Sequence, residues 1–555
     1  MKRLLILFTL LALLGACNSH TELTTDPLPT ISLGEAGGYY TLKVGQSLTL
    51  APTTTYGQSY QWIQDGVTLA TTPSYTFTAT KEGTFYLTFR VTNPTGSSEE
   101  DIRIDVEALQ LPLISFATND EGVLTIPVGE YTIVPNVLNG GAEAQYEWSL
   151  DGVPVSTSPT CTLINHSAGE HSLSLCVTNA DGSTTKQVTL RVMEHLAGEI
   201  LMPSYFATPL GRTLYLDAAL CNFASPSYSW RVGGVESTDA IFAFTPTSVG
   251  TYNITLTVAD PDGYSLTREV EVEVTPAEGT YRRAVGESSK ATSNKVYEYR
   301  PAAGQFINEP QSGFAGEQSA ASATTYAEGR LSQGKYLSLG AWGGYVVVGF
   351  DHSIASGEEY DFSITGNMYE GSSEAGIVWV MQDSNGNGLP DDVWYELRGS
   401  EWGKSTYQRG YAITYYRPEY DNMNVQWMDN RGKSGFISRN STHTQPSYYP
   451  AWEGPSLTLY GSLLEPNTVV DATTGNQVNN AYEWGYADNQ GTDSDSSAAT
   501  SAKTYFKISS AVAADGSAVG LQYIDFIKVQ SAINFVAGAL GEISTEVLAF
   551  EDENM

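Results

Sequence analysis

The chain has 555 residues and carries 62 Asp and Glu against 28 Lys and Arg, a formal net charge of -34. Such a field repels polyanions, so nucleic acid is not an expected partner, and the length allows three to five domains at about 100 to 200 residues each. With 34 Tyr, 53 Gly and alternating Ser/Thr runs in place of a long helical apolar period, the composition points to an all-β protein.

Lys2 and Arg3 precede an apolar run from Leu4 to Leu14 that ends in Leu14-Gly15-Ala16-Cys17. At about 1.5 Å per residue the run falls short of the roughly 20 residues needed to span a bilayer, so it reads as a cleaved export signal. Residues 1–17 resemble a bacterial lipoprotein signal with its lipobox. That likeness implies lipidation at Cys17 and an outer-membrane anchor, with the protein exposed at the cell surface. An ordinary secretory signal with an incidental Cys17 is the alternative. The other three cysteines, Cys161, Cys176 and Cys221, cannot make a complete disulfide set, and small buried or half-buried thiols are expected.

Three segments then repeat one pattern. Tyr60-Gln61-Trp62 precedes Asp65-Gly66, Tyr146-Glu147-Trp148 precedes Asp151-Gly152, and Tyr228-Ser229-Trp230 precedes Gly233-Gly234. Gly83, Gly169 and Gly250 each open an alternating strand that ends at Asn93, Asn179 and Asp260, with Gly96, Gly182 and Gly263 three residues further on. Period-two alternation places Phe89, Leu175 and Leu256 inward, and the paired turn residues supply the positive φ of tight hairpins. Each unit is therefore expected to be an immunoglobulin-like sandwich. The elements resemble the PKD and PKD-like modules of bacterial surface proteins, which implies three tandem modules over 27–108, 109–194 and 195–275, serving as a stalk. His166, His171 and His195 lack a second ligand at metal spacing and read as solvated.

Beyond Thr275-Pro276 the texture changes to aromatic, glycine-rich and acidic loops between strands, expected at 345–350, 377–381, 412–416, 456–460, 504–508 and 523–529. A larger β-sandwich or jelly roll over 276–555 fits that layout. Its sharpest motif is Asp383-Ser384-Asn385-Gly386-Asn387-Gly388-Leu389-Pro390-Asp391-Asp392. Oxygen side chains at positions 1, 3, 5 and 9 and a glycine at position 6 suit a calcium loop, with Asp383, Asn385, Asn387 and Asp391 as side-chain ligands and Leu389 giving its carbonyl. Position 12 is Trp394, not Glu, so Glu396 or a distant carboxylate has to complete the shell. A metal-free, Asx-rich hairpin is the rival.

Around the loop lie Trp342-Gly343-Gly344-Tyr345, Gly349-Phe350-Asp351-His352, Gly376-Ile377-Val378-Trp379-Val380 and Trp394-Tyr395-Glu396-Leu397, with Asp525-Phe526-Ile527-Lys528-Val529 near the end. Together these look like the distal domain of PKD-like surface lipoproteins of gut Bacteroidota. Some of that group resemble corrinoid-capture lipoproteins, which implies a cobalamin-type (vitamin B12) ligand, a TonB-dependent transporter as partner and a role in nutrient uptake. Exposed aromatics would serve such a ligand, and three clusters qualify: Trp402 with Tyr407; His443 with Tyr448, Tyr449 and Trp452; and Tyr482 with Trp484 and Tyr486. Sugars would stack on the same rings, so glycan binding is the alternative, with an adhesive or architectural role third. No G-x-S-x-G, H-E-x-x-H or P-loop occurs. Paired carboxylates such as Glu370 with Glu374, or Asp488 with Asp493 and Asp495, leave a glycoside hydrolase as the one enzyme class to weigh. The expectation is a non-catalytic binder.

Overall fold

The computed structural model describes residues 26–164, 166–495 and 502–555; the export signal and Cys17 lie outside them. The chain divides into two compact units, one ending at Gln110 and one running from Leu111 to Met555.

The first unit is a sandwich. Strands Tyr39–Lys43, Gly96–Glu107, Gly83–Asn93, Ser59–Gln64 and Val67–Ala70 lie side by side in that order, the first pair parallel and the rest antiparallel. Ser47–Leu50 pairs with Tyr75–Thr78, and Leu50 and Phe77 share one core with Trp62, Phe89 and Val91. The same five-strand order recurs within 123–193 and within 205–275.

Local chemistry explains the repetition. Each hairpin after the tryptophan strand turns through two positive-φ residues, Asp65 and Gly66 (50° and 80°), Asp151 and Gly152 (51° and 79°), and Gly233 and Gly234 (52° and 85°). That is a type I′ turn, whose twist matches the flanking strands. Each buried indole donates its N–H to a backbone carbonyl about ten residues on: Trp62 to Thr72 at 3.0 Å, Trp148 to Ser158 at 2.9 Å and Trp230 to Asp239 at 2.9 Å. The ring fills the core while its one polar atom is satisfied.

The third copy departs from the other two at its closing turn. Asn93 and Asn179 accept backbone N–H groups with Oδ1 and donate Nδ2 to carbonyls of the preceding chain. Asp260 in their place cannot donate, and His195 takes over that role: Nε2 lies 2.8 Å from Asp260 Oδ2 and Nδ1 2.6 Å from the Leu196 carbonyl, with the ring stacked on Tyr264 at 3.8 Å. Both ring nitrogens face acceptors, and the bond to Asp260 is the chief cause that raises the His195 pKa and so favours the imidazolium. His171 is held likewise between Asp151 and the Ser167 carbonyl, and its pKa is also raised. The expectation that both are free in solvent is thus corrected. Cys161, Cys176 and Cys221 are free thiols.

The distal region is built on a six-stranded sheet ordered Lys295–Arg300, Tyr345–Ala355, Tyr523–Ser531, Gly376–Met381, Tyr395–Leu397 and Ala511–Val512. A four-stranded sheet (Gln408–Tyr416, Val425–Asp429, Ser434–Ile437, Ser456–Leu463) and a three-stranded one add further layers. His352, fully buried, ties Tyr345–Ala355 to the last strand through Asp552 at 2.9 Å, with Asp351 at 2.7 Å on its other nitrogen. One helix, Ala320–Ser332, was not expected. It is alanine-rich with a weak apolar face, and its start is set by a reciprocal Ser319–Ser322 capping box in which Ser replaces the usual Glu.

The free-stalk reading fails for the second and third sandwiches, which dock on the distal sheets. Asn136 donates to the Asn424 carbonyl at 2.7 Å, Gln426 to the Val134 carbonyl at 3.1 Å, and Lys186 pairs with Glu419 at 2.6 Å. In the third, Arg212 pairs with Glu278 at 2.7 Å and Arg409 with Asp217 at 3.0 Å. Its core residues, among them Phe206, Leu214 and Trp230, belong to the same apolar cluster as Val348, Val378 and Ile527 of the distal sheet. Continuous apolar burial is a stronger tie than the surface ion pairs around it.

Trp62→Phe removes the bond to the Thr72 carbonyl and part of the ring that fills the core, so urea unfolding of the first unit should show a loss of roughly 1–3 kcal/mol; an unchanged midpoint would remove the role given to that ring. His195 carries a raised pKa in the folded state. Its contribution is complete below the unfolded value of about 6.5 and disappears as pH rises through the folded value. The melting temperature of the wild type should therefore fall relative to His195→Gln between pH 6 and pH 9; parallel profiles would refute the ion pair.

Candidate functional site

One row of side chains crosses a single face of the six-stranded sheet. Because directly paired residues of antiparallel strands share a face, the register places Glu298, Val347, Lys528, Trp379, Glu396 and Val512 side by side. Arg300, Tyr345, Gln530 and Ile377 form the next row. Lys528 stands in the middle of Tyr523–Ser531, a strand otherwise buried throughout. Its ammonium faces three rings, with Nζ 4.8 Å from the Trp379 centroid, 4.9 Å from Trp394 and 5.8 Å from Tyr345.

This face forms the floor of a cavity of about 150 Å³. The third sandwich supplies one wall through Met202, Pro203, Phe206, Tyr215 and Asp217; Trp402, Arg409 and Tyr460 supply the other. Arg409 lies over the Trp402 ring at 5.3 Å while bonding Asp217. A second cavity of about 210 Å³ adjoins across Lys528, Trp394 and Tyr460, reaching Glu298 and Arg300. On the other side Arg409 leads into an open groove of about 860 Å³ beside Tyr407, Trp427, Asp429, Arg431 and Lys433.

Of the ten tryptophans, Trp62, Trp148, Trp230 and Trp342 are core. Four of the other six, Trp379, Trp394, Trp402 and Trp427, line these connected spaces. Burial pulls Lys528 down to about 8, against the pull of Glu298 and Glu396. Burial also pushes Glu396 up to about 7, although Tyr407 and Ser462 hydroxyls donate to its two oxygens and Arg409 lies near. Trp379 Nε1 and Arg409 Nε are buried without a hydrogen-bond partner. Glu298 and Glu396 stand four strands apart, about 19 Å at ~4.8 Å per strand, too far for the roughly 5–10 Å spacing of a glycosidase pair.

Of the aromatics named from sequence, Trp402 and Tyr407 border these spaces, and the others do not gather there. Tyr448, Tyr449 and Tyr486 are buried and unavailable to a ligand, because each ring fills a core and each hydroxyl has a protein partner: the His443 carbonyl, the Gly454 carbonyl and the Glu401 N–H. Trp452 packs against Tyr299 and Phe314 in the core's margin. Tyr482 leans on Tyr486 at 5.3 Å, and Trp484 is half-buried nearby. His443 bonds Glu309 at 2.6 Å against the edge of Phe306. Glu374 and Asp488, considered as catalytic carboxylates, meet Glu546 in the interior, where burial raises the pKa of each.

The Asp383 loop is tightly wound. Asp383 accepts from the N–H groups of Gly386 at 2.8 Å and Gly388 at 3.0 Å, Asn385 Oδ1 from Asn387 N–H, and Asn387 Oδ1 from Leu389 N–H. Asn387 Nδ2 faces the Asp391 carboxylate at 3.1 Å. Gly386 sits at φ +76° under Tyr281, where a Cβ would come within 2.4 Å of the ring. Asp392 accepts from Ser384 N–H with one oxygen and leaves the other buried and unpartnered, and burial pushes it up to about 8. Glu396 is not available to complete this shell, since both its oxygens serve the cavity wall.

Lys528, Trp379, Trp394, Arg409 and Tyr460 were not singled out as site residues from sequence. A charged residue in the centre of an apolar strand, Phe526-Ile527-Lys528-Val529, was the available signal.

Human polycystin-1 is 23% identical over 199 residues, which cover 35% of this chain and 5% of that protein, so the chain spans about a twentieth of that relative. Solved structures with similar sandwiches include Sidekick-1 immunoglobulin domains 1–5 (16% identity, 44% of this chain and 58% of that one, TM-score 0.23). Fibronectin(III)-like modules of Clostridium thermocellum CbhA are 11% identical over 30% of this chain and 94% of theirs, TM-score 0.17. Residues 28–93, the first of the three repeated segments, match the family model of the PKD-like domain.

Proposed function

We propose that the protein is a non-catalytic, surface-tethered binder whose cavity takes one sugar residue of a glycan. The concentration of three non-core tryptophans, Trp379, Trp394 and Trp402, around a pyranose-sized space that also holds Lys528, Glu396 and Gln530, with Trp427 in the adjoining groove, carries this reading. Ring faces stack on the C–H faces of sugars while the polar groups fix orientation. Anchoring would come from lipidated Cys17, and a TonB-dependent transporter in the outer membrane would be the receiving partner in nutrient uptake. A cobalamin-type corrinoid, implied by the family likeness, draws less support. The inner cavity of about 150 Å³ is smaller than the roughly 300–1,000 Å³ typical of pockets for drug-sized ligands.

Calcium is proposed as a structural cofactor of the Asp383 loop. The all-oxygen donor set and the orphaned Asp392 oxygen fit a hard cation, which Asp383, Asn385, Asn387, Asp391 and the Leu389 carbonyl would hold. Bound calcium would neutralise the carboxylates crowded there and brace the loop beside Tyr205 of the third sandwich, to which Asn385 already bonds at 3.0 Å.

Titration of neutral and acidic oligosaccharides into the full chain, followed by tryptophan fluorescence, should give saturable binding. Trp394→Ala should weaken it at least tenfold while the far-UV circular dichroism spectrum stays that of the wild type. Cyanocobalamin is the control ligand: saturable binding of it alone would replace the glycan reading. Millimolar calcium should raise the melting temperature over that in EGTA, and Asp383→Asn should abolish the difference; identical melts would end the calcium proposal.

A further inference from the structure

Granted that the cavity holds a sugar, its unspent charges indicate which kind. The molecule as a whole has more than two acidic residues for each basic one. Along the connected cavities and groove that imbalance vanishes: Arg300, Lys528, Arg409, Arg431 and Lys433 stand against Asp217, Glu298, Glu396, Asp429 and Glu465.

The acids there are already engaged. Asp217 holds Arg409 at 3.0 Å, Glu298 accepts from the Tyr345 hydroxyl at 2.6 Å, and Glu396 accepts from two hydroxyls. Asp429 accepts from the Tyr411 hydroxyl at 2.8 Å and from the backbone N–H groups of Arg431 and Lys433 at 2.9 and 2.8 Å. Glu465 alone stays at the rim. Of the five cations, Arg409 is taken by Asp217 and Arg300 by Glu453 at 3.3 Å, and three are left. Among the described residues Lys528 has ring faces around it but no carboxylate within ion-pair distance, and the side chains of Arg431 and Lys433 project from the surface without one. A half-buried ammonium with free N–H donors is costly unless something accepts from it.

We infer that the ligand is an anionic glycan, with one acid group bound at Lys528 and the chain leaving past Arg409 over the groove edged by Arg431 and Lys433. Carboxylated and sulfated sugars offer the same oxygens to these donors.

Calorimetry on the full chain at one ionic strength would compare trigalacturonate, galactotriose and a sulfated galactotriose. The acidic trisaccharides, one or both, should bind at least tenfold more tightly than the neutral one and weaken as salt is raised. Lys528→Met should remove most of that preference. Lys433→Gln, at an exposed position, should leave the trisaccharides unchanged and weaken hexagalacturonate, added to the panel, several-fold. Equal affinity for neutral and acidic sugars would overturn the anionic assignment while leaving the glycan reading in place. Binding of none of them would defeat the glycan reading itself. A salt-insensitive preference that survives both substitutions would also overturn the assignment, because the cations would then play no part.

Discussion

Register across the strand Tyr523–Ser531 is the constraint on which the rest of the distal region depends. It is flanked by Tyr345–Ala355 on one side and Gly376–Met381 on the other, and the pairing brings Trp379 and Glu396 into line with Lys528. A slip of one residue would turn Lys528 into the apolar core and bring Ile527 or Val529 to the cavity floor. The penalty for burying an ammonium away from its rings is among the largest in folding, so the residue that equips the site also guards the alignment that builds it.

The three sandwiches were legible in the sequence because their determinants are local. A tryptophan two residues after a tyrosine, a positive-φ pair and a strand-opening glycine each act within one hairpin, and all three recur at fixed offsets. The six-stranded sheet was legible as apolar runs but not as an order, since its central strand comes almost last in the chain. The candidate site was largely hidden for the same reason. Glu298, Lys528 and Glu396 lie scattered over 230 residues and become neighbours only through pairing. Tyr448 and Tyr449 misled in the opposite sense, for an aromatic cluster in a loop-rich stretch reads as exposed until Trp342 and Tyr415 are seen to pack around it. The helix at 320–332 lacked an amphipathic stripe and was recoverable only from its serine cap.

His195 shows how a repeat tolerates drift. The third copy has Asp260 where the others have the turn asparagine, so it lacks the amide donor, and the His195 ring bonds Asp260 Oδ2 in its place. The same pairing occupies both ring nitrogens. A metal held by the cluster of His195, Asp260 and Asp262 would have to displace one of these two hydrogen bonds.

The third sandwich supplies the wall opposite Trp402, and this has a mechanical consequence. Any molecule that touches both walls binds only while the sandwich stays docked, so by linkage it adds its own binding free energy to the cohesion of Asp217 with Arg409 and of the shared apolar cluster. If the proposed glycan is held there, drag on it would pull on the molecule through that seam, and an occupied seam would part at a higher load than an empty one.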